Sequence, residues 1–539
     1  GITEFLLEGE EVKASIKHLV CDFIVHEIDL QGNVVVLDQT AQPPKSKAES
    51  TPNLELTDEI KTKLVESFGE ENGTKLIHLV ELIQLGDLEA VADLPVLNDK
   101  QARTSFHKHV RDFMPGYCSS LVKGTEDTIR VFLKEGVNTH AKRRKLGMDV
   151  RSQDPLPGKY IEFVMWKRNY ETMGAIKKLA KAVGTKPKHF GVAGNKDKRG
   201  ITTQRVTLYA NNYPRLKSLN LGRDLKLGNF KYTNDELSLG ALSGNRFEMV
   251  LRDVAKEIPL DEFNRRAREI SQRGFVNYFG LQRFGNSSES ATHLVGLAIL
   301  LGDYQRAVEL ILSPRDNAHE EEREACLYFQ ETKDIEGTLN KFHSSAFVER
   351  TILEGMIKGG GGAAYMNGLM NLPKNSRMIY IHAYQSYIWN SVVSMRLRQS
   401  KELLPGDLIE IDGKPVVNSG EGDQNGLFKS WVIPLPGAHI IYPENETRQA
   451  FETMLAKDGL TLDSFKHLHR DFFLPGAYRK VIGEAANFEL QEIFFESMST
   501  EDPVPEGPIR SLKLSFSLNS SSYATMLVRE FLKTTEPFS

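Results

Sequence analysis

A short polar loop carries one acidic residue among several basic ones. Residues 191–205 read Gly-Val-Ala-Gly-Asn-Lys-Asp-Lys-Arg-Gly-Ile-Thr-Thr-Gln-Arg, which puts Asp197 between Lys196 and Lys198, with Arg199 next. An apolar run leads into the loop and an alternating run leads out of it, so the pattern predicts a strand, a glycine-bounded loop and a second strand. The flanking cations favour an ionised carboxylate. The pattern indicates a site that binds a polyanion and uses one carboxylate on it.

Two other interpretations of this loop have to be weighed. Its residues are those of ordinary turns, so a solvated hairpin turn is the simplest alternative. GTPases recognise guanine with Asn-Lys-x-Asp at the end of a strand, whereas here Asp197 follows Lys196 directly. The chain also contains no Gly-x4-Gly-Lys-Ser/Thr loop, so it is not a P-loop nucleotide hydrolase.

Basic residues are concentrated around the loop although the whole chain is mildly acidic, with a formal net charge of −4. Within residues 165–205, eleven Lys or Arg oppose two acids, which gives a local net charge of +9 and leaves −13 for the rest. Such an excess is typical of a channel for a phosphate backbone. Lys177, Lys178 and Lys181 lie on a predicted helix, 170–183, and the alternative is that they form only its solvated face.

A second informative block, residues 277–285, reads Asn-Tyr-Phe-Gly-Leu-Gln-Arg-Phe-Gly. Aromatic faces stack unpaired bases, and Asn or Gln can hydrogen-bond the edge of a pyrimidine. A buried aromatic cluster would have the same composition. The block therefore indicates RNA binding only when it is considered together with the basic loop.

Composition limits the class of protein. A hydrophobic fraction of 40% and a mean hydropathy of −0.35 predict a soluble globular chain, with room for roughly two to four domains at this length. The longest apolar stretch, 294–301, is too short to cross a bilayer, and the first residues show no signal-peptide pattern. Cys21, Cys118 and Cys326 are too far apart in sequence for a disulfide framework or a metal knuckle, which is typical of a reducing intracellular compartment. We expect no metal and no membrane segment.

Composition changes sharply after the first strands. Residues 40–55 form a linker rich in Pro and Ser, and a helical pattern follows from 57 to 113. The basic cluster Lys142–Lys145 lies near the end of this region. We interpret 41–154 as an insertion with its own small helical core.

Together these features resemble the TruD family of pseudouridine synthases, and its eukaryotic branch in particular. The matching segments occur in the family's order: 16–17 with 22–27, 194–204, 239–247, 277–285 and 522–530.

The resemblance implies an α+β fold. Its catalytic domain would have a mixed, largely antiparallel sheet with flanking helices and would be assembled from 1–40, 155–300 and 468–539. The family's TRUD domain would be inserted at 301–467, and 41–154 would be the extra helical insertion of eukaryotic members.

The resemblance also implies an activity, the isomerisation of uridine to pseudouridine in RNA without cofactor or metal. Asp197 matches the catalytic aspartate. Lys17, Phe23, Asn277 and Phe279 match positions that line the active-site cleft.

RNA is the expected partner. Lys196, Lys198 and Arg199 are expected to bind it together with the other basic residues of 165–205. The resemblance implies tRNA as substrate and, for eukaryotic members, other RNAs such as snRNA and mRNA, with a monomeric protein in the nucleus and cytoplasm. The alternative is a non-catalytic RNA-binding or RNA-chaperone protein, but in such a protein Asp197 would only weaken phosphate binding. A helical scaffold with an inactive core would leave the +9 stretch unexplained.

Overall fold

The computed structural model describes residues 1–38, 54, 56–85, 87, 90–95, 100–122, 128–133, 157–285, 291–315, 318–495 and 508–535. The strands are β1 (Ser15–Ile16), β2 (Phe23–Ile28), β3 (Val91–Pro95), β4 (Tyr117–Val122), β5 (Thr128–Leu133), β6 (Tyr160–Arg168), β7 (Gly191–Val192), β8 (Ile201–Tyr209), β9 (Leu225–Thr233), β10 (Gly244–Arg252), β11 (Phe275–Val276), β12 (Leu408–Ile411), β13 (Lys414–Val417), β14 (Trp431–Leu435), β15 (Ala477–Lys480), β16 (Ile482–Gly483), β17 (Ala485–Phe495) and β18 (Ile509–Asn519).

The helices are α1 (Asp58–Phe68), α2 (Glu70–Gln84), α3 (Lys100–Phe113), α4 (Thr172–Val183), α5 (Tyr213–Lys217), α6 (Leu260–Arg273), α7 (Thr292–Leu300), α8 (Tyr304–Ile311), α9 (Glu320–Thr332), α10 (Ile335–Lys341), α11 (Phe347–Gly359), α12 (Ala364–Asn371), α13 (Lys374–Gln399), α14 (Gln424–Leu427), α15 (Glu446–Lys457) and α16 (Ala524–Leu532).

A nine-stranded sheet forms the centre of the molecule, with its main strands in the order β17-β18-β10-β2-β8-β6-β9. Only β2 and β8 pair in parallel among these strands; the other pairings are antiparallel. This confirms the mixed, largely antiparallel sheet that the resemblance implies. Because Ile24 pairs with Ile201, the loop that precedes β8 lies beside the start of β2.

Alternating apolar residues explain how the sheet buries one face. Along β18, the side chains of Leu512, Leu514, Phe516 and Leu518 are almost completely buried, as expected for a strand with one face on the core. Helix α6 packs against β17. The cluster of buried apolar side chains is therefore continuous from the sheet into its flanking helices.

The helical region after the central strands contains a small sheet with the order β13-β12-β14-β15. Helix α13 is largely buried, and its Trp389 indole N–H donates to the Ile433 carbonyl of β14 at 3.0 Å. Strand β15 lies after residue 467, so this sheet extends beyond the expected end of the inserted domain. All the domain limits stay predictions.

Residues 54–133 form a separate core. The buried side chains of this cluster include Leu64, Leu76, Val110 and Ile129, and all of its members come from within that range. The sequence predicts a helical core for this region. The structure differs, because α1–α3 pack with a three-stranded sheet of order β3-β5-β4. Strand β3 ends at Pro95 and strand β4 contains the adjacent Ser119 and Ser120, so neither has the pattern of an alternating apolar strand. The Lys142–Lys145 cluster lies outside the described residues.

None of the described helices combines the length and the apolar character that a membrane span requires. In the same part of the chain, no group of three or more His, Cys, Asp or Glu side chains could hold a metal ion.

Candidate active site

The loop that carries Asp197 joins β7 to β8 and is held by a buried lysine. Lys167, on β6, is fully buried, and its ammonium donates to the main-chain carbonyls of Lys196 (3.2 Å) and Asp197 (2.7 Å). Burial lowers the pKa of Lys167 to about 8, and the negative charge of Asp197 acts against that shift. Asp197 is only partly buried. Its main chain is therefore fixed while the residue remains partly open to solvent.

Lys196 is also anchored inside the protein. Its ammonium lies 3.5 Å from one carboxylate oxygen of the fully buried Glu27, and Arg205 Nε donates to the other oxygen at 2.9 Å. The Lys196 amide donates to the Thr172 hydroxyl at 3.1 Å. Burial lowers the pKa of Lys196, whereas Glu27 acts in the opposite direction. An RNA contact by Lys196 stays a prediction; in the structure its ammonium faces Glu27.

Lys17 and Phe23 lie beside this loop. Lys17 has φ 54°, which non-glycine residues adopt rarely, and its ammonium is 3.8 Å from the centre of the Phe23 ring. Burial lowers the pKa of Lys17, and the negative charge of Asp197 acts to raise it. A Cβ on Gly200 would lie 2.7 Å from the Phe23 carbonyl oxygen, so only glycine fits there without a shift. The structure therefore brings Lys17, Phe23 and Asp197 together.

The basic residues of 165–205 divide into two sets. Three of the eleven point largely inward: Lys167, Lys196 and Arg205. The others are exposed: Arg168, Lys177, Lys178, Lys181, Lys186, Lys188, Lys198 and Arg199. Arg199 donates to the His18 carbonyl at 3.2 Å, beside Lys17. That Lys198 and Arg199 bind RNA stays a prediction.

Asn277 and Phe279 form a second group with a buried arginine. Arg479 donates from Nε to the Asn277 carbonyl (3.0 Å) and from Nη2 to its side-chain oxygen (2.9 Å). The Asn277 side-chain amide in turn donates to the Lys480 carbonyl at 3.1 Å. The main chain of Phe279 exchanges two hydrogen bonds with the side chain of Asn390 on α13. Both residues are thus rigidly held.

These two residues line a cleft of about 430 Å³. Leu435 of β14 and Tyr478 of β15, which belong to the small sheet of the helical region, line it as well. Among the described residues, no hydrogen bond, ion pair or ring contact joins this group to Asp197.

Three residues that organise the site were not expected in that role from the sequence: Lys167, Glu27 and Arg479. Lys167 lies in the basic stretch that was expected to bind RNA, but it is fully buried. A period of two reveals Glu27, because an acid that shares one face of β2 with Phe23 and Val25 must be buried and needs a partner. Lys167 gives a similar signal in the apolar strand β6. Arg479 gives none, because its partner Asn277 is distant in sequence.

Comparisons with known proteins identify what the chain is similar to. Residues 135–531 match the family model described as tRNA pseudouridine synthase D (TruD). The chain is 33% identical to the Pseudouridylate synthase 7 homolog of Mus musculus, over 99% of this chain and 80% of that protein. It is 30% identical to the Multisubstrate pseudouridine synthase 7 of Schizosaccharomyces pombe, over 99% of this chain and 90% of that protein.

A solved structure shows the same fold. It is a crystal structure from Methanosarcina mazei described as a tRNA pseudouridine synthase D (TruD). The two chains are 26% identical with a TM-score of 0.53, and the match covers 70% of this chain and 88% of the other.

Proposed function

The chain belongs to the TruD family of pseudouridine synthases and is an RNA pseudouridine synthase; on this premise, we propose that Asp197 is its catalytic aspartate. The observation that carries the proposal is the placement of the carboxylates. Glu27 is fully buried and neutralised by two cations, whereas Asp197 is partly exposed on a loop whose main chain is fixed. Asp197 can therefore reach a substrate, and Glu27 cannot.

One ionised carboxylate is sufficient for the isomerisation. Uracil must be detached from the ribose at N1, rotated, and rejoined through C5. A carboxylate can do this by covalent attack or by taking a ribose proton to give a glycal. Both routes need an anion, and Asp197 lies close enough to Lys17 for its negative charge to act to raise the pKa of that ammonium.

The target base must leave its stack before the carboxylate can act. Phe279 lines the cleft and supports the flipped nucleotide, while Asn277 holds a polar edge of it. Phe23 is only 2% exposed, so it does not contact the nucleotide directly. Its ring instead supports the Lys17 ammonium through a cation–π contact. The lining of this cleft does not include Asp197, so the proposed pocket combines two separate groups of residues.

The exposed basic residues beside the loop supply the RNA-binding surface. Asp197 is the one acid in the loop, so the charge of this surface is positive and complements that of a phosphate backbone. The substrates we propose are tRNA and, in view of the name Multisubstrate pseudouridine synthase 7 of the S. pombe relative, further RNAs such as snRNA and mRNA. We place this monomeric enzyme in the nucleus and cytoplasm.

The test is the activity of purified Asp197→Ala and Asp197→Asn proteins on unmodified tRNA transcripts, with pseudouridine measured by mass spectrometry. Both variants should form none. Transcriptome-wide mapping of the pseudouridines lost on deletion would then identify the targets. Appreciable turnover by Asp197→Ala would contradict the assignment, and absence of turnover by the wild-type protein would favour a purely RNA-binding function.

A further inference from the structure

The cleft at Asn277 contains two guanidinium groups that form no ion pair with an acid among the described residues. Arg283 and Arg479 both line it. The acid that also lines the cleft, Glu484, is paired with Lys429 at 3.3 Å. The described walls of the cleft therefore carry an excess of positive charge.

Arg479 is held so that one edge of its guanidinium remains available. Its Nε and Nη2 bind Asn277, and the guanidinium lies 4.0 Å from the centre of the Phe279 ring. Trp389 and Tyr523 provide two further rings, at 5.4 and 6.0 Å. Nη1 has no hydrogen-bond partner among the described residues. Contacts with rings and amides hold this buried cation without neutralising it.

Arg283 is less constrained than Arg479. Its Nε–H is buried and has no hydrogen-bond partner in the described part of the chain. The two guanidinium groups are close enough to repel, because Arg283 lowers the pKa of Arg479, which burial already lowers, to about 10. An anion between two arginines relieves both the repulsion and the unmet hydrogen-bonding capacity.

We propose that Arg283 and Arg479 form an anion subsite in this cleft that takes a phosphodiester of the RNA chain next to the flipped nucleotide. This inference rests on the proposed function, since it assumes that RNA enters the cleft. Arg479 binds the same Asn277 that faces the base, so the subsite connects the position of the phosphate to that of the base. It fixes the register of the RNA before Asp197 acts.

The experiment measures the dissociation constant of tRNA transcripts as a function of salt for the wild type, Arg283→Met and Arg283→Lys. Each phosphate contact contributes roughly 0.7 to 0.9 to the slope of log affinity against log salt. We expect Arg283→Met to lower the slope by about that amount and Arg283→Lys, which keeps the charge, to retain it. Arg268→Met is the matched control, because Arg268 is exposed on α6 outside the cleft.

Circular dichroism verifies that each variant folds, and pseudouridine formation by the wild type is measured on the same transcripts. Arg479→Met provides a second route, because an apolar side chain fits among the three rings; it should lower the slope in the same way. If the wild type binds and modifies RNA but neither variant changes the slope, the subsite is wrong and the proposed function stands. If the wild type neither binds nor modifies RNA, both fail.

Discussion

The inward and outward cations of residues 165–205 have the same charge and opposite environments. Lys167 and Lys196 are buried and bind carbonyl and carboxylate oxygens of the protein. Lys177 and Lys181 are exposed on α4 and have neither role. A dense basic stretch can therefore have two functions: one set of lysines holds the loop of Asp197, and the other set is proposed to present its charge to RNA.

Local structure decides which function a cation takes. On strand β6, the side chain of Lys167 points to the core because its neighbours alternate, and it meets the loop through the pairing of Lys167 with Thr202 on β8. On α4, the buried positions Ile176, Leu179 and Ala180 leave the lysines on the opposite face. Five predictions, in decreasing order of expected effect, test this division and the independence of the insertion.

Glu27→Gln should have the largest effect. It leaves Lys196 and Arg205 buried without a counter-charge, and breaking a buried pair in this way costs about 3–5 kcal/mol. Urea unfolding should show a loss of that size in the free energy of unfolding, together with lost activity. The matched control is Glu248→Gln on the adjacent strand β10, whose partner Lys513 is 38% exposed; there the loss should be at most about 1 kcal/mol. Equal losses for the two variants would contradict the buried role of Glu27.

Lys167→Met should slow the chemical step without weakening RNA binding. The side chain is fully buried, and its removal frees the main chain of Asp197. A misplacement of about 1 Å can reduce the rate on the order of 100-fold. Single-turnover rates at saturating RNA measure this, with Lys231→Met on the exposed edge strand as control. A folded Lys167→Met protein with a normal rate would show that the lysine does not hold the loop.

The same variant has a pH signature. The folded-state pKa of Lys167 is about 8, below its ordinary value of 10.5. The unfolded chain therefore binds this proton more tightly, so burial of Lys167 lowers stability below pH 8, and that cost disappears as the pH rises toward 10.5. The stability of the wild type relative to Lys167→Met should rise across this window. A constant difference would mean that Lys167 is not a buried cation at neutral pH.

Replacement of Lys177, Lys178 and Lys181 together by Gln should reduce affinity and leave the rate at saturating RNA unchanged. Each lost phosphate contact lowers the salt slope by roughly 0.7 to 0.9. Lys178 contributes least, because its ammonium already donates to the Leu221 carbonyl at 3.2 Å. An unchanged slope would show that these lysines are only the solvated face of a helix.

Deletion of residues 45–152 with a short Gly/Ser bridge should affect chemistry least. The core of 54–133 is closed on itself, so its removal should leave the central sheet folded. We expect weaker binding or altered target choice and a near-normal single-turnover rate. A deleted protein that folds and binds but loses the chemical step would place part of the active site in the insertion.

The parts of the molecule that depend on local patterns were predictable. The strand–loop–strand around Asp197, the helix α6 and the inward alternation of β18 all follow from short periods. The resemblance to a family assigned Lys17 and Asp197 to one active-site cleft, and in the structure the negative charge of Asp197 acts on the pKa of Lys17.

Contacts that depend on strand register or on distant segments were not predictable. Lys167 reaches the loop only because of how β6 pairs with β8, and Arg479 meets Asn277 from 202 positions away in sequence. The same holds for β3, which pairs with β5 inside the insertion. No short pattern encodes such pairings, because they gain stability only after both segments have folded.

The most direct test compares Asp197→Asn with the Lys177/Lys178/Lys181→Gln protein in one experiment that measures both the RNA dissociation constant and the single-turnover rate at saturating RNA. Asp197→Asn should lose the rate and keep or slightly improve the affinity, because a negative charge is removed from a phosphate-binding surface. The lysine variant should lose affinity and keep the rate. An Asp197→Asn protein that retains the rate, or a lysine variant that loses it at saturation, would contradict the division between the catalytic loop and the RNA-binding surface.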